Sequence, residues 1–221
     1  MNYSEEKIKV EVLASGSTGN AIVINDEILL DCGVTFKKIE PYYKNIKLVF
    51  ISHQHVDHLN KACIRKLAQK RPNIRWFVGS WLVQQLLDCG VSMKRIDVFL
   101  LDVEHKYKNF SIIPFKLYHD VPTAGIKLFM NGEKLIYATD TCRIDHVEAK
   151  GYDWYLIESN YIEEEVDAEI EQARLEGKFC YRTRVKETHL SERQCEEWLL
   201  KNMEENSKFI KMHQHINKSK E

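Results

Sequence analysis

Five apolar segments of this chain each run into a side chain that can bind a metal ion or move a proton. Leu48–Ser52 leads into His53-Gln54-His55-Val56-Asp57-His58, and Phe110–Leu117 leads into His119. Leu135–Thr139 ends at Asp140, Trp154–Ile157 at Glu158, and Phe209–Met212 at His213. Apolar runs of this length read as short buried strands. Strand ends are where a sheet gathers side chains that are distant in sequence. A fold that suits this chain therefore brings five strand ends to one place.

The histidine stretch carries the most chemistry. Three imidazoles and one carboxylate fall within six positions. Nitrogen and oxygen ligands without thiolate suit zinc, manganese or iron. Residues two apart on an extended segment point the same way, so His53 and His55 can grip one ion. Asp57 and His58 lie past the bend and can face a second position. A single ion rarely needs all four ligands from one loop, so the spacing predicts two ions.

Ahead of this stretch, Ile8–Ala14 and Ala21–Asn25 read as strands around Ser15-Gly16-Ser17-Thr18-Gly19-Asn20. A phosphate-cradling loop would open into a helix. This one opens into a strand, so it reads as a tight glycine-dependent turn whose Ser17 and Asn20 could face a substrate. Asn25-Asp26 predicts a hairpin into Glu27–Asp31, and Asn131-Gly132 predicts another before Leu135. Asp31 is a candidate partner for the far nitrogen of a ligand histidine. Helices are expected over Thr35–Lys44, Asn60–Lys70 and 161–177, and from Ser80, as N-cap, to Gly90. Ser191 with Gln194 has the form of a capping box that opens a helix reaching Met203. A further strand is expected over Val98–Leu101.

With 44% hydrophobic and 29% charged residues, the 221-residue chain can bury a core as one domain. No run is long enough to span a membrane, and residues 1–6 lack the apolar centre of a secretory signal. Six cysteines without a Cys-x-x-Cys pair suit free thiols in a reducing cytoplasm. A net charge of −1 decides nothing about nucleic acid, so that case rests on local patches. Two exist. Residues 61–75 carry Lys61, Arg65, Lys66, Lys70, Arg71 and Arg75 and no acid. The second holds Arg182, Arg184 and Lys186. Each reads either as a solvated face or as a contact for an anionic substrate.

His53-x-His55-x-Asp57-His58, His119, Asp140 and His213, in this order, resemble the metallo-β-lactamase-fold hydrolase superfamily over nearly the whole chain. Leu13–Ala21, Asp31-x-Gly33, Thr139-Asp140-Thr141 and Glu158-Ser159-Asn160 are most similar to its WalJ/YycJ-like branch, which is associated with 5′-to-3′ DNA exonuclease activity. The resemblance implies an α+β fold, a single-domain four-layer αββα sandwich over residues 1–221, with the metals at one edge. It also implies a first divalent ion on His53, His55 and His119, a second on Asp57, His58 and His213, and Asp140 bridging both. Zinc is the first choice of ion and manganese the second. Asp57, Glu158 and His189 carry the expected catalytic roles, the last two as a pair that protonates the leaving group after attack by a hydroxide shared between the ions. Ser17, Asn20, Lys61, Arg65, Arg182 and Arg184 are the expected substrate contacts.

Two departures from the pattern stand out. Relatives have His-Leu-Ser where this chain has His213-Gln214-His215, which leaves His215 open as the last ligand. Thr188 stands where glycine is usual before the residue matched by His189. About fifty residues separate Asp140 from His189, too few for a β-CASP insertion, and 216–221 reads as a frayed tail. The implied function is phosphodiester hydrolysis in nucleic acid, DNA ahead of RNA. The alternative is a thioester, lactone or small cyclic phosphate hydrolysed on the same metal site.

Overall fold

The computed structural model describes residues 7–214. The first sheet is built from β1 (Val10–Ala14), β2 (Ala21–Ile24), β3 (Ile28–Leu30), β4 (Leu48–Ile51), β5 (Arg75–Val78) and β6 (Ile96–Val98), side by side in that order. β2, β3 and β4 are buried at every residue. They are therefore covered on both faces, as their unbroken apolar sequences require. Alternate residues divide between two layers. Val23, Leu29, Val49 and Ile51 pack under three helices, α1 (Phe36–Ile39), α2 (Lys61–Lys70) and α3 (Val83–Asp88). Ile22, Ile24, Ile28, Leu30 and Phe50 face the other sheet.

That second sheet holds β7 (His105–Lys106), β8 (Phe110–Lys116), β9 (Ala124–Met130), β10 (Glu133–Ala138), β11 (Trp154–Glu158) and β12 (Lys208–Met212), with β12 and β7 at its edges. Its inner face supplies Ile112, Ile126, Leu128, Leu135, Tyr137 and Leu156 to the shared core. Its outer face, with Ile136, Tyr155 and Ile157, is covered by Trp198 and Leu199. These two lie on the last of three further helices, α4 (Glu163–Leu175), α5 (Arg182–Thr188) and α6 (Glu192–Asn202). The result is the single-domain αββα sandwich.

Strand direction places the functional ends. β3 and β4 run parallel, as do β10, β11 and β12. β8 and β10 are each antiparallel to β9, so they point the same way. The carboxyl ends of β8, β10, β11 and β12 therefore share one edge of their sheet.

Both expected hairpins form. Asn25 and Asp26 have φ of 48° and 58°, and Asn131 and Gly132 have 55° and 74°, as a two-residue turn with two positive φ values requires. The Ser191/Gln194 capping box is present with both bonds. Three expectations need correction. α1 stops at Ile39 instead of reaching Lys44, because Pro41 has no N–H and cannot continue the turn. Ser80 is not an N-cap: Gly79 caps a short 3₁₀ turn, Ser80–Leu82, that feeds α3. β6 ends at Val98, before the expected strand had properly begun, and Phe99 packs instead against Phe50 and Phe77 in the core between the sheets. Arg182–Thr188 is a helix that sequence periodicity did not reveal.

Candidate metal centre

β4 ends in the loop that carries His53 to His58. Ser52 and its neighbours set the direction of these imidazoles. The buried Asp31 carboxylate accepts from the Ser52 backbone N–H (2.8 Å), the Ser52 hydroxyl (3.0 Å), His58 Nδ1 (2.7 Å) and the Tyr137 hydroxyl (2.6 Å). The bond to Nδ1 turns His58 Nε2 inward. The Ser52 hydroxyl lies 3.0 Å from His53 Nδ1, so His53 also presents Nε2. That nitrogen is buried and has no hydrogen-bond partner among the described residues, a costly condition for a polar atom unless a ligand occupies it.

The other imidazoles are held from elsewhere. His119 Nδ1 donates to the Thr188 carbonyl at 2.8 Å. His55 Nε2 lies 3.3 Å from an Asp120 oxygen, and the other Asp120 oxygen pairs with Arg184 of α5. His213 Nδ1 lies 2.8 Å from the Asn160 amide, and the His213 backbone N–H donates to the Ser15 hydroxyl at 2.7 Å. His215 lies outside the described residues, as does the 216–221 tail.

Asp140 stands between two groups of ligands. Its Oδ2 is 3.5 Å from His53 Nε2 and 3.7 Å from His119 Nε2. Its Oδ1 is 3.4 Å from His58 Nε2 and 3.7 Å from His213 Nε2. Asp57 completes the second group, 3.2 Å from His213 Nε2 and 3.4 Å from His58 Nε2. Within each group, His53/His55/His119/Asp140 and Asp57/His58/Asp140/His213, the ligand atoms lie within 4.8 Å of one another. Nitrogen and oxygen donors without thiolate, a shared carboxylate and an unpartnered imidazole nitrogen suit a pair of divalent ions.

Asp31, Asp140 and His213 all have left-handed backbone, with φ of 59°, 49° and 53°. Strain of this kind at three strand-end positions is maintained by the surrounding packing and is typical of functional sites. Gly33 is required by contact: a Cβ there would sit 1.6 Å from the Asp57 carbonyl oxygen.

The charges divide along the same line as the ligands. Burial, with the neighbouring imidazoles, pushes His53 well below the ordinary histidine range against the pull of Asp140, and burial also lowers His119. Burial opposes charge on His58 and His213 as well, but Asp140 with Asp31, and Asp140 with Asp57, raise them. Asp57 and Asp140 are held below the carboxylate range, because His58 and His213 outweigh burial. Two carboxylates among buried imidazoles demand positive charge, whether as protons or as a cation.

Glu158, fully buried at the end of β11, accepts from His189 Nδ1 at 2.6 Å and from the Thr141 backbone N–H at 2.7 Å. The His189 ring stacks on His213 at 5.3 Å and shares one cluster with Asp140, Glu158 and His213. Burial disfavours its charge, but Glu158 outweighs this and raises its pKa.

Three expected substrate contacts are placed otherwise. Asn20 is fully buried. Its amide accepts from the Gly16 N–H and donates to the Gly16 and Asp57 carbonyls, joining the glycine turn to the histidine loop. Arg182 is buried 3.0 Å from Glu169, and Arg184 is engaged by Asp120. Ser17, Lys61 and Arg65 are exposed. Asp120, Ser52, Tyr137, Thr188 and Asn160 were not singled out for these roles. Of them only Asp120, beside His119, carried a signal in the sequence.

Fold and site together define a sandwich with two adjoining groups of His and Asp side chains at its strand ends that could hold metal ions. A family model described as the beta-lactamase superfamily domain matches residues 26–213, and the chain belongs to that family. Over 178 residues it is 26% identical to exodeoxyribonuclease WalJ of Streptococcus pneumoniae, covering 72% of this chain and 64% of the relative. The chain spans less than two thirds of the length of the curated relatives it matches. Its fold is similar to that of the metallo-beta-lactamase fold protein YhfI from Bacillus subtilis, with a TM-score of 0.74 at 15% identity over 96% of this chain and 88% of that one. Human tRNase Z, short form, superposes with a TM-score of 0.68 at 14% identity, covering 93% and 92%.

Proposed function

We propose that this chain is a metal-dependent phosphodiesterase of nucleic acids, acting on DNA ahead of RNA, without a β-CASP insertion and working in a reducing cytoplasm. His53, His55 and His119 would hold one divalent ion, Asp57, His58 and His213 a second, and Asp140 both, with zinc the first candidate and manganese the next. Bound there, such ions act as Lewis acids and make water nucleophilic near neutral pH.

The observation that carries the reading is the Glu158–His189 pair at 2.6 Å beside Asp140 and His213. Glu158 fixes the His189 tautomer with the proton on Nδ1 and favours the doubly protonated ring. His189 Nε2 has no hydrogen-bond partner among the described residues and can hand a proton to a departing sugar oxygen. A thioester needs no such donor, since a thiolate leaves unaided. The name of the WalJ relative supports DNA, and that of tRNase Z keeps RNA in view.

The test is cleavage of 5′-labelled single- and double-stranded DNA and RNA by protein loaded with zinc or manganese, beside Asp57→Ala. Loss of the full-length labelled strand to shorter labelled products by the wild type alone is the expected result. Equal cleavage by Asp57→Ala assigns the activity to a contaminant. Turnover of a thioester with every nucleic acid intact overturns the phosphodiester reading.

A further inference from the structure

The two basic runs have different fates. On the α4–α6 side Arg182 pairs with Glu169, Arg184 with Asp120, Lys186 with Asp167, and Arg193 with Glu163 and Glu164. On α1 and α2 the exposed cations Lys37, Lys61, Arg65, Lys66 and Lys70 make no ion pair among the described residues. Between Val34 and Lys70 the only acids are Glu40 and Asp57, and Asp57 belongs to the metal centre. On a chain of net charge −1, such a face is a local concentration of positive potential.

Its position matters as much as its sign. Cys63, Ile64 and Leu67 bury the inner side of α2, which leaves Lys61, Arg65, Lys66 and Lys70 outward. Lys66 Nζ lies 4.6 Å from the Phe36 ring centroid, joining the α2 cations to α1. Both helices start at the histidine loop. Cys32 N–H donates to the His58 carbonyl, Asn60 N–H to the Cys32 carbonyl, and Gly33 packs on Asp57. The cationic face therefore begins at the Asp57–His58 side of the centre and recedes along α2 for about 15 Å, a span of about four phosphates of one duplex strand.

We propose that the α1–α2 face is the track for the sugar-phosphate backbone of a nucleic-acid substrate, carrying the strand away from the scissile bond. This rests on the nuclease reading and adds to it a substrate that extends several nucleotides beyond the reacting phosphate. Lysine and arginine here would meet backbone phosphates, so the contribution of this face is independent of sequence and sensitive to salt.

The experiment uses metal-loaded full chain and the triple variant Lys37→Gln/Lys66→Gln/Lys70→Gln, with Arg193→Gln as a paired-cation control and circular dichroism to check folding. Anisotropy of a fluorescein-labelled single-stranded oligodeoxynucleotide is followed against salt, beside hydrolysis of bis(4-nitrophenyl) phosphate. The triple variant is expected to lower the slope of log affinity against log salt by about 0.7 per lost contact, to weaken binding at low salt by tenfold or more, and to leave hydrolysis of the small ester unchanged. Arg193→Gln is expected to move none of these. Wild-type binding retained by the triple variant overturns the track, as does a wild type that binds no oligonucleotide at low salt. Binding that depends on the face, with no phosphodiester hydrolysed by the wild type, leaves the track standing and overturns the nuclease reading instead.

Discussion

The floor and the rim of the metal centre are built on different principles. His53 and His58 stand on the floor. Their far nitrogens face the Ser52–Asp31–Tyr137 network, in which Asp31 is fully buried and accepts from four donors. His55 and His119 form the rim. They are held by Asp120, which is 22% exposed, by Arg184, which is 69% exposed, and by the Thr188 carbonyl at the end of α5. The floor is part of the core between the sheets, so its geometry is determined by folding. The rim depends on a short surface helix, and its bonds compete with water. Ligand geometry and protein stability should therefore be coupled at the floor and separable at the rim.

The largest effect is expected where floor and rim meet. Asp140 faces both groups, so Asp140→Ala should lose both ions by elemental analysis and bring phosphodiester cleavage to background. Retention of one full equivalent of metal would mean that the two positions do not share this carboxylate.

His189 ends α5 on the rim and leans on Glu158 of the floor. His189→Gln should keep the metal content and lower the cleavage rate by about 10²–10⁴-fold. Against an ester with a 4-nitrophenolate leaving group, which departs without a proton, the loss should be small. Equal losses on both esters would remove the proton-donor role.

Asp31→Ala tests the floor directly. It strands His58 Nδ1, the Ser52 donors and the Tyr137 hydroxyl in the core, at about 2–5 kcal/mol in urea denaturation. Affinity for the second ion should fall about 10–100-fold. Asp120→Asn tests the rim. Affinity for the first ion should fall by about tenfold, with stability within about 0.5 kcal/mol of wild type. A stability loss as large as that of Asp31→Ala would break the distinction between floor and rim. Arg184→Ala should do least, within about 0.5 kcal/mol as an exposed ion pair, and should loosen the first ion only through Asp120.

Much of this was legible in the chain. The ligand types, their order and their attachment to strand ends are local facts, because a strand is recognised from a few consecutive apolar residues. So are Asn25-Asp26 and Asn131-Gly132, whose turn type depends on two residues, and the Ser191/Gln194 capping box. The roles of Asn20 and Arg184 were not legible. Asn20 lies in a polar turn that reads as exposed, yet the histidine loop folds over it. Arg184 reads as a free cation until β8 brings Asp120 beside α5. The two basic runs look alike in sequence, yet packing pairs Arg182, Arg184 and Lys186 of one with acids, whereas in the other Arg75 meets Asp97 and Lys61, Arg65, Lys66 and Lys70 make no ion pair among the described residues.

The sequence by itself determined which chemistry is available: seven side chains with nitrogen or oxygen atoms able to hold a metal, a glutamate–histidine pair, and strands apolar enough to bury both faces. The tertiary structure alone decided which nitrogen each imidazole presents, which oxygen of Asp140 faces which group, and which cations remain unpaired. The physical reason is range. Strand, turn and cap preferences act between neighbours in the chain, whereas tautomer, ion pairing and burial depend on atoms brought together by the folding of two sheets.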